Sequence, residues 1–416
     1  MTRSWKDAAL ALAAVGLLAC GETQQAPASA EAPGERVASS LARSTDAAPR
    51  ADLDAAVLGH TQFALDLYKK VAPPGGDDVF LSPYSISSAL SMTYAGAVGE
   101  TKEAFEQTLN ISLAPDAFHR AMNHLDRELG RHEELTSTQQ LFVQTGLGME
   151  TPFLDVMARE YGADVRLLDF AREHERSRQE INRWVDTRTE HRIPELLSEQ
   201  DIDASVRVVL VNALSFKASW KQAFDEKLTA DRPFHGADGT QTLVRTLRSP
   251  EMELRAARLN GVDVVELPYD GDALSMVILA PPAGQLAAFE ASLDADLLAN
   301  AIASLSDDKV SLSMPAFEIR GNANLDRPLQ ELGLAKAYGD ADFSAMTKEA
   351  ALQIKTVVHQ AFIHVDEKGT EAQAATAVVL GERAASSELN LDRPFVFLIR
   401  DRATGAILFL GRLVTP

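Results

Sequence analysis

The chain has 416 residues, of which 46% are hydrophobic and 24% charged, the proportions of a globular protein with a sizeable core. Acidic residues outnumber basic ones by 60 to 40, and the formal net charge is −20. Such a surface repels phosphate backbones, so no nucleic-acid partner is expected, and the single cysteine excludes an intramolecular disulfide.

The first twenty residues have the order of an export signal. Arg3 and Lys6 precede an apolar run over 8–18 that is too short to span a bilayer. The run ends at Leu17-Leu18-Ala19-Cys20, which resembles a bacterial lipobox. Residues 1–20 are therefore interpreted as a lipoprotein signal peptide with Cys20 as lipid anchor; the alternative is an ordinary secretory signal with an incidental cysteine. We expect an exported protein, anchored to the membrane of the cell envelope or surface, or extracellular.

Residues 21–50 are rich in Ala, Pro, Ser, Gln and Glu and contain no aromatic residue. Such a segment buries too little apolar surface to offset the entropy of ordering, and we predict a disordered tether. No later stretch rich in Pro, Gly and Ser divides the chain, so residues 51–416 are predicted to form one domain.

The domain opens with a predicted amphipathic helix over 54–71, and Ser82-Pro83 starts a second helix whose small residues indicate a buried position. Helical stretches are predicted over 176–190 and 287–304. Strand-like runs predominate from 206 onward, at 206–216, 262–268, 275–280, 310–315, 354–365 and 395–399. Because the order has no regular β-α-β spacing, it predicts an α+β fold with mixed or antiparallel sheets.

The sequence contains no motif of an enzyme. A Gly-x-Ser-x-Gly elbow, a His-Glu-x-x-His zinc helix, a Gly-x-Gly-x-x-Gly fingerprint and a phosphate loop are all missing. His132-Glu133 and His174-Glu175 each lack a second histidine, so they are interpreted as solvated helix residues and not as metal ligands. We expect neither catalytic activity nor a metal or cofactor.

Two patterns meet between residues 355 and 387. Alternate positions from Val357 to Val365 are apolar except for His359, which predicts one buried strand face and makes His359 a hydrogen-bonded core residue. Small and apolar residues continue at every second position from Thr370 to Leu380, the pattern of a half-buried strand. The following residues 381–387 are polar or small, which suits an exposed loop tip.

These last segments resemble the serpin family of serine protease inhibitors. Residues 366–377 resemble the hinge of the serpin reactive loop, and 392–400, which opens Asp392-Arg393-Pro394-Phe395, resembles with 405–412 the C-terminal signature of the family. Further matches occur in family order at 80–86, 99–101, 212–220, 266–269 and 341–344. The resemblance implies that 51–416 is a serpin domain with mixed β-sheets, surrounding helices and an exposed C-terminal reactive loop.

The resemblance also implies a function, that of a suicide inhibitor of trypsin-like, Arg-specific serine proteases that acts by cleavage and insertion of the reactive loop. Family spacing, counted from Glu367 and back from Pro394, places the reactive bond between Arg383 and Ala384. The loop is antithrombin-like over 376–379, although Glu382 departs from the Gly or Pro found in inhibitors of clotting proteases.

The site residues implied by the resemblance fall into two groups. The hinge consists of Glu367, Gly369, Thr370, Ala372, Ala374 and Ala375. The shutter and the breach, where the sheet opens, consist of Ser82, Ser85, Asn212, His359 and Trp220. The expected partner is a trypsin-like serine protease in a covalent acyl complex, and the inhibitor is expected to be a monomer without a cofactor. The alternative is a non-inhibitory serpin acting as a surface binding or carrier protein.

Overall fold

The computed structural model describes residues 31–237, 239–371 and 387–416. The helices are α1 Arg50–Val71, α2 Pro83–Tyr94, α3 Gly99–Thr108, α4 Pro115–Leu129, α5 Thr151–Val156, α6 Phe170–Arg188, α7 Leu286–Ser292, α8 Ala295–Ser304, α9 Asp326–Leu329 and α10 Ala335–Tyr338, with π-helical turns at Met157–Tyr161 and Gln330–Leu334. The strands are β1 Glu35–Val37, β2 Val79–Leu81, β3 Leu135–Gln144, β4 Val165–Leu168, β5 Val208–Phe216, β6 Ala218–Ser219, β7 Ala230–His235, β8 Gln241–Leu259, β9 Val262–Pro268, β10 Leu274–Ala280, β11 Ser306–Pro315, β12 Phe317–Asn324, β13 Val358–Val365, β14 Gly369–Thr370, β15 Ser387–Asn390, β16 Phe395–Asp401 and β17 Ile407–Leu413.

The first two helices follow the sequence prediction closely. α1 begins at Arg50 and ends at the predicted Val71. In α2 the side chain of Ser82 caps the helix by accepting from the Ser85 N–H at 3.2 Å, and Pro83 follows as the first helical residue. Most residues of α2 are buried, as its small side chains predict.

The largest sheet forms the centre of the hydrophobic core. Its strands follow the order β15-β11-β8-β9-β10-β16-β17-β2, with β7 paired to β8. Every residue of β10, β16 and β17 is buried, which explains why these strands are largely apolar in the sequence, with Arg400, Asp401 and Arg412 as buried charged exceptions. Phe80 stacks on Phe397 and Phe409 at centroid distances of 5.9 and 5.3 Å, which ties β2 to the two C-terminal strands.

Two smaller sheets lie side by side and leave an open position between them. One has the order β1-β4-β3-β5 and the other β12-β13-β14-β6. β5 and β13 are neighbours in space, yet within the described residues no strand pairing joins them. Only β14 is paired on both sides there, to Val365 of β13 and to Ala218 of β6. Since β5 and β13 approach more closely than the roughly 9.5 Å that an intervening strand requires, they must move apart before their facing edges can accept a further strand.

Residues 31–49 pack along the edge of the domain, whereas the sequence predicts a tether over 21–50. β1 adds an antiparallel strand to β4, and Arg43 donates to Asn123 at 2.8 Å and to Asp126 at 2.7 Å. This segment is held by backbone pairing and ion pairs, which a composition poor in apolar residues does not reveal. The compact unit begins at Glu31 and not at 51; residues 21–30 lie outside the described part.

Among the described residues, none of the helices has both the length and the apolar character needed to cross a membrane.

Candidate functional site at the end of the open sheet

A tight turn over residues 366–368 reverses the chain between β13 and β14. The Asp366 carboxylate accepts from the backbone N–H groups of Lys368 and Gly369 at 2.8 and 3.1 Å. The Asp366 N–H in turn donates to the Gly369 carbonyl at 3.0 Å. These local bonds fix the turn, so β14 enters the sheet antiparallel to β13 at the upper end of the open position.

Gly369 is required by the close approach of two backbones. A Cβ atom at this position would lie 2.1 Å from the Ala218 carbonyl oxygen, a distance that no side chain tolerates. The next residue, Thr370, is buried, and its hydroxyl lies 2.8 Å from the hydroxyl of Tyr269. Burial raises the pKa of Tyr269, so this phenol remains protonated and able to donate.

Trp220 closes the site from the side of β6. Its ring stacks on Tyr269 with a centroid distance of 4.6 Å and an interplanar angle of 10°. The indole N–H donates to the Asp366 carbonyl at 3.0 Å, and the backbone N–H donates to Lys368 at 2.8 Å. Trp220 therefore holds the turn through hydrogen bonds and stacks on Tyr269 beside β14.

The carboxylate of Glu367 lies beside the turn and is shielded from solvent. Its side chain is only 4% exposed and accepts from Arg245 at 2.5 Å. Burial is the largest influence and opposes ionisation, but the hydrogen bonds to the carboxylate and the charge of Arg245 together outweigh it, and the pKa of Glu367 lies below its ordinary value. The ion pair joins the turn to β8, which belongs to the central sheet.

A second polar cluster lies beneath the open position, at the level of α2. The Ser82 N–H donates to His359 Nε2 at 3.0 Å, and the Ser82 hydroxyl donates to the Leu408 carbonyl at 2.8 Å. Burial lowers the pKa of His359 to about 4, so the imidazole is neutral at pH 7. Asn212 lies in β5 opposite Gln139, and its side chain is outside the described part.

An apolar cavity of about 60 Å³ lies at the lower end of the same open position. Val208 and Leu210 of β5 line it on one side, and Val357 lines it on the other. Leu90 of α2 and Met346 also line it, and Lys355 is the one charged residue among the described residues of the lining. The open position thus runs from a polar, aromatic upper end at Thr370 to an apolar lower end.

Comparison with known protein families shows which family the chain belongs to. The profile of the serpin family, described as serine protease inhibitors, matches residues 59–416. The chain belongs to the serpin family. As a member of that family, whose proteins are protease inhibitors, it is not an enzyme.

Serpins of known sequence match most of the chain. A serpin-like protein of Thermococcus kodakarensis is 34% identical over 363 residues, which cover 85% of this chain and 84% of the relative. Plasminogen activator inhibitor 1 of Sus scrofa is 32% identical over 368 residues, 86% of this chain and 91% of the relative. Leukocyte elastase inhibitor of Sus scrofa is 34% identical over 372 residues, 86% and 98%.

Solved serpin structures confirm the predicted fold. The thermophilic serpin tengpin in the native state has a TM-score of 0.80 at 24% identity, covering 91% of this chain and 97% of tengpin. A cleaved serpin, Serpin 42Da, also has a TM-score of 0.80, at 26% identity, with 88% and 99% covered. Because a native and a cleaved serpin match equally well, the TM-score does not distinguish these two states. The strand pairing at the open position is more informative about them than the overall fold.

The structure describes some of the site residues that the serpin resemblance implies. Gly369, Thr370 and Trp220 meet around the turn with Glu367, and Ser82, Ser85 and His359 meet below it. The remaining predicted residues, Ala372, Ala374, Ala375, Arg383, Ala384 and Cys20, lie outside the described residues.

The sequence did not reveal three side chains that hold the implied hinge. Arg245 pairs with Glu367, Tyr269 bonds Thr370, and Arg192 pairs with Glu371. Each partner is distant along the chain, and an arginine or tyrosine in a polar stretch carries no local signal of its contact. Tyr269 lies in a segment that matches the family pattern, and this match was the one clue available.

Proposed function

We propose that this serpin is a suicide inhibitor of trypsin-like, Arg-specific serine proteases, with Arg383–Ala384 as the reactive bond. The observation that carries the proposal is β14. Its two residues occupy the first places of a missing strand, between β13 and β6, and the chain of 371–386 continues from there. A cut at Arg383 would free this segment to complete the strand.

The pairing of β14 fixes the register of that strand. Thr370 lies opposite Val365 of β13 and Ala218 of β6, and both pairings are antiparallel. Continued at this register, Val378 comes between Val357 and Leu210, and Leu380 reaches Val208. These three partners line the apolar cavity, so the two large apolar residues of the segment have a site of matching chemistry.

The chemistry divides between the protease and the inhibitor. Arginine offers a forked cation to the acidic specificity pocket of a trypsin-like enzyme. The protease serine attacks the Arg383 carbonyl, an ester forms, and the new amino group of Ala384 leaves with the C-terminal part of the loop. Insertion of 371–383 then competes with hydrolysis of the ester, and the ester persists when insertion is faster.

In the same proposal the two polar clusters control the opening of the sheet. Trp220 and the Glu367–Arg245 pair hold the upper end, where insertion starts. Ser82, Ser85, Asn212 and His359 form the shutter in the middle, at the level where Thr376 would pass at the same register.

Incubation with trypsin tests the proposed inhibition. We expect an SDS-stable band of higher mass for the wild type and none for Arg383→Glu, because the introduced acid meets the carboxylate of the specificity pocket. Arg383→Leu should redirect inhibition toward chymotrypsin- or elastase-like proteases. Clean cleavage of the wild type without a stable complex would favour a non-inhibitory serpin that acts as a binding or carrier protein.

We further propose that the protein is exported as a monomer with Cys20 as its lipid anchor, on the strength of the lipobox-like Leu17-Leu18-Ala19-Cys20. Labelling with a fatty-acid analogue tests the anchor. Cys20→Ser should lose the label and, if exported, appear in the soluble periplasmic or extracellular fraction. Equal labelling of the two proteins would refute the lipobox interpretation.

A further inference from the structure

Glu371, the first residue beyond β14, forms an ion pair with Arg192. Arg192 lies in the segment that connects α6 to β5, and it also bonds the Glu190 carboxylate at 2.9 Å and the Thr189 carbonyl at 3.3 Å. The Glu371 side chain is 7% exposed and that of Arg192 is 20% exposed. The contact is therefore a largely enclosed pair between the implied hinge and the segment that leads into β5.

The backbone of Glu371 turns away from the strand direction. Its φ is +51°, in the left-handed region that residues with a side chain seldom adopt. Its N–H still donates to the His364 carbonyl of β13 at 3.0 Å. A left-handed residue lacks the extended conformation of a strand, so Glu371 must change conformation before the strand can continue beyond Thr370.

Arg192 accounts for the stability of this unfavourable arrangement. Burial of the Glu371 carboxylate raises its pKa, and the positive charges of Arg192, Lys217 and His364 act in the opposite direction. Arg192 is the one of these that hydrogen-bonds the carboxylate. Without its guanidinium the acid would be enclosed with no strong donor, and the left-handed turn would lose its main anchor.

We propose that the Arg192–Glu371 pair is a stop that halts the inserting strand after Thr370, and that Arg192 is a positioning residue which slows the next step of insertion. The inference rests on the proposed inhibitory function, because a stop has a use only where premature insertion would waste the inhibitor. Removal of either partner should therefore accelerate insertion in the intact, uncleaved chain.

The experiment follows spontaneous conversion of the full-length protein, without protease, to a form resistant to thermal unfolding, at a temperature just below the unfolding transition. We expect Arg192→Gln and Glu371→Gln each to convert about tenfold faster than the wild type, and the double variant to convert no faster than either single one. Arg192→Lys should stay near the wild-type rate. Arg176→Gln, which removes an α6 arginine paired only to Glu173 and Glu180, is the matched control and should convert like the wild type.

Three results would overturn the stop. They are an Arg192→Gln rate equal to that of the wild type, an equal acceleration by Arg192→Gln in the Glu371→Gln background, and the absence of conversion in every variant. The trypsin assay separates the two proposals. If no protein, including the wild type, forms an SDS-stable complex while the conversion rates follow the expected order, the inhibitory function fails and the stop stands.

Discussion

The buried charge of Glu367 is sensitive to movement of the implied hinge. Its carboxylate is nearly enclosed, and its charged form is sustained by Arg245, whose own side chain is 62% exposed. Any movement that withdraws the turn from β8 breaks this pair and leaves the carboxylate with weaker partners. Such a loss costs about 1–3 kcal/mol for a hydrogen bond to a charged group.

The pH dependence of unfolding tests this role. The pKa of Glu367 is lower in the folded protein than its ordinary value of 4.5, so its charge stabilises the fold above that pH, and the benefit is lost as the pH falls through the folded pKa. Glu367→Gln should therefore be less stable than the wild type to urea at pH 7, with the difference shrinking steadily below about pH 4.5. Glu318→Gln, at an exposed position of β12, serves as control. A difference that persists unchanged at pH 3 would contradict this account.

Thr370 is a second residue with a decisive position. It is buried in β14 already, so Thr370→Arg would force an unpaired guanidinium into the sheet, at a cost of several kcal/mol. Loop cleavage at Arg383 should continue at a similar rate, whereas insertion should start more slowly. A delay of about 1.4 kcal/mol shifts the partition roughly tenfold toward release of the protease. The stoichiometry of trypsin inhibition measures this shift, and a value still near one would show that a buried side chain at position 370 does not limit insertion of the residues that follow it.

At the level of elements, one buried ion cluster joins three of them. Arg412 of β17 is fully buried. Its Nη1 donates to both carboxylate oxygens of Glu290 in α7, each at 3.1 Å. Tyr68 of α1 donates to the same carboxylate. The remaining guanidinium donors reach the carbonyls of Pro73 and Asp77, each at 2.9 Å.

Arg412→Met should destabilise the protein by about 3–5 kcal/mol, because the Glu290 carboxylate stays buried after its cation is removed. The double variant Arg412→Met with Glu290→Gln removes both charges and should recover much of that loss. Urea unfolding followed by circular dichroism measures both. If the double variant is no more stable than Arg412→Met, the cost lies in packing and not in the unpaired charge.

Strands with a clear apolar run or apolar alternation were readable from the sequence, and strands in which polar residues break that pattern were not. The run 275–280 coincides with all but the first residue of β10, because an enclosed strand leaves a nearly uninterrupted apolar signature. β3 was missed because Thr and Gln fill much of it. The long β8 was missed because charged residues, and exposed apolar residues such as Leu243, interrupt its alternation. β1 was missed because it is a three-residue edge strand held by pairing to β4.

The parts of the candidate site formed by residues close together in sequence were predictable, and its contacts between distant residues were not. Alternation predicts that His359 faces the core, and the structure confirms its burial and its bond to Ser82. The turn over 366–368 and β14 follow from local residues and from the family resemblance. The pairs Arg245–Glu367 and Arg192–Glu371 bridge more than a hundred positions of sequence, and only the fold brings them together.

For the molecule as a whole, the open position is the source of energy for the proposed mechanism. About a dozen residues after Thr370 would each gain sheet hydrogen bonds worth roughly 1 kcal/mol. Burial of Val378 and Leu380 in the apolar cavity would add about 1.5–3 kcal/mol for each side chain. Before the entropy of ordering the inserted residues is subtracted, the sum is about 15–18 kcal/mol, at or above the entire stability of a typical domain, about 5–15 kcal/mol.

Two neighbouring residues of the same chemistry provide a matched test of this energy source. In a strand continued at the register of β14, Val378 would turn toward the cavity between Leu210 and Val357, whereas Val379, of opposite parity, would turn to the outer face. After cleavage at Arg383, we expect the wild type to unfold at a clearly higher temperature than the intact protein. Val378→Asp should lose much of this increase, because it replaces an apolar side chain by a carboxylate in a mostly apolar cavity, where burial of a charge is costly even with Lys355 at the lining. Val379→Asp should retain it. Differential scanning calorimetry of intact and cleaved samples of all three proteins measures the increase, and equal increases for the two aspartate variants would contradict the register and, with it, the assignment of the cavity to the inserted loop.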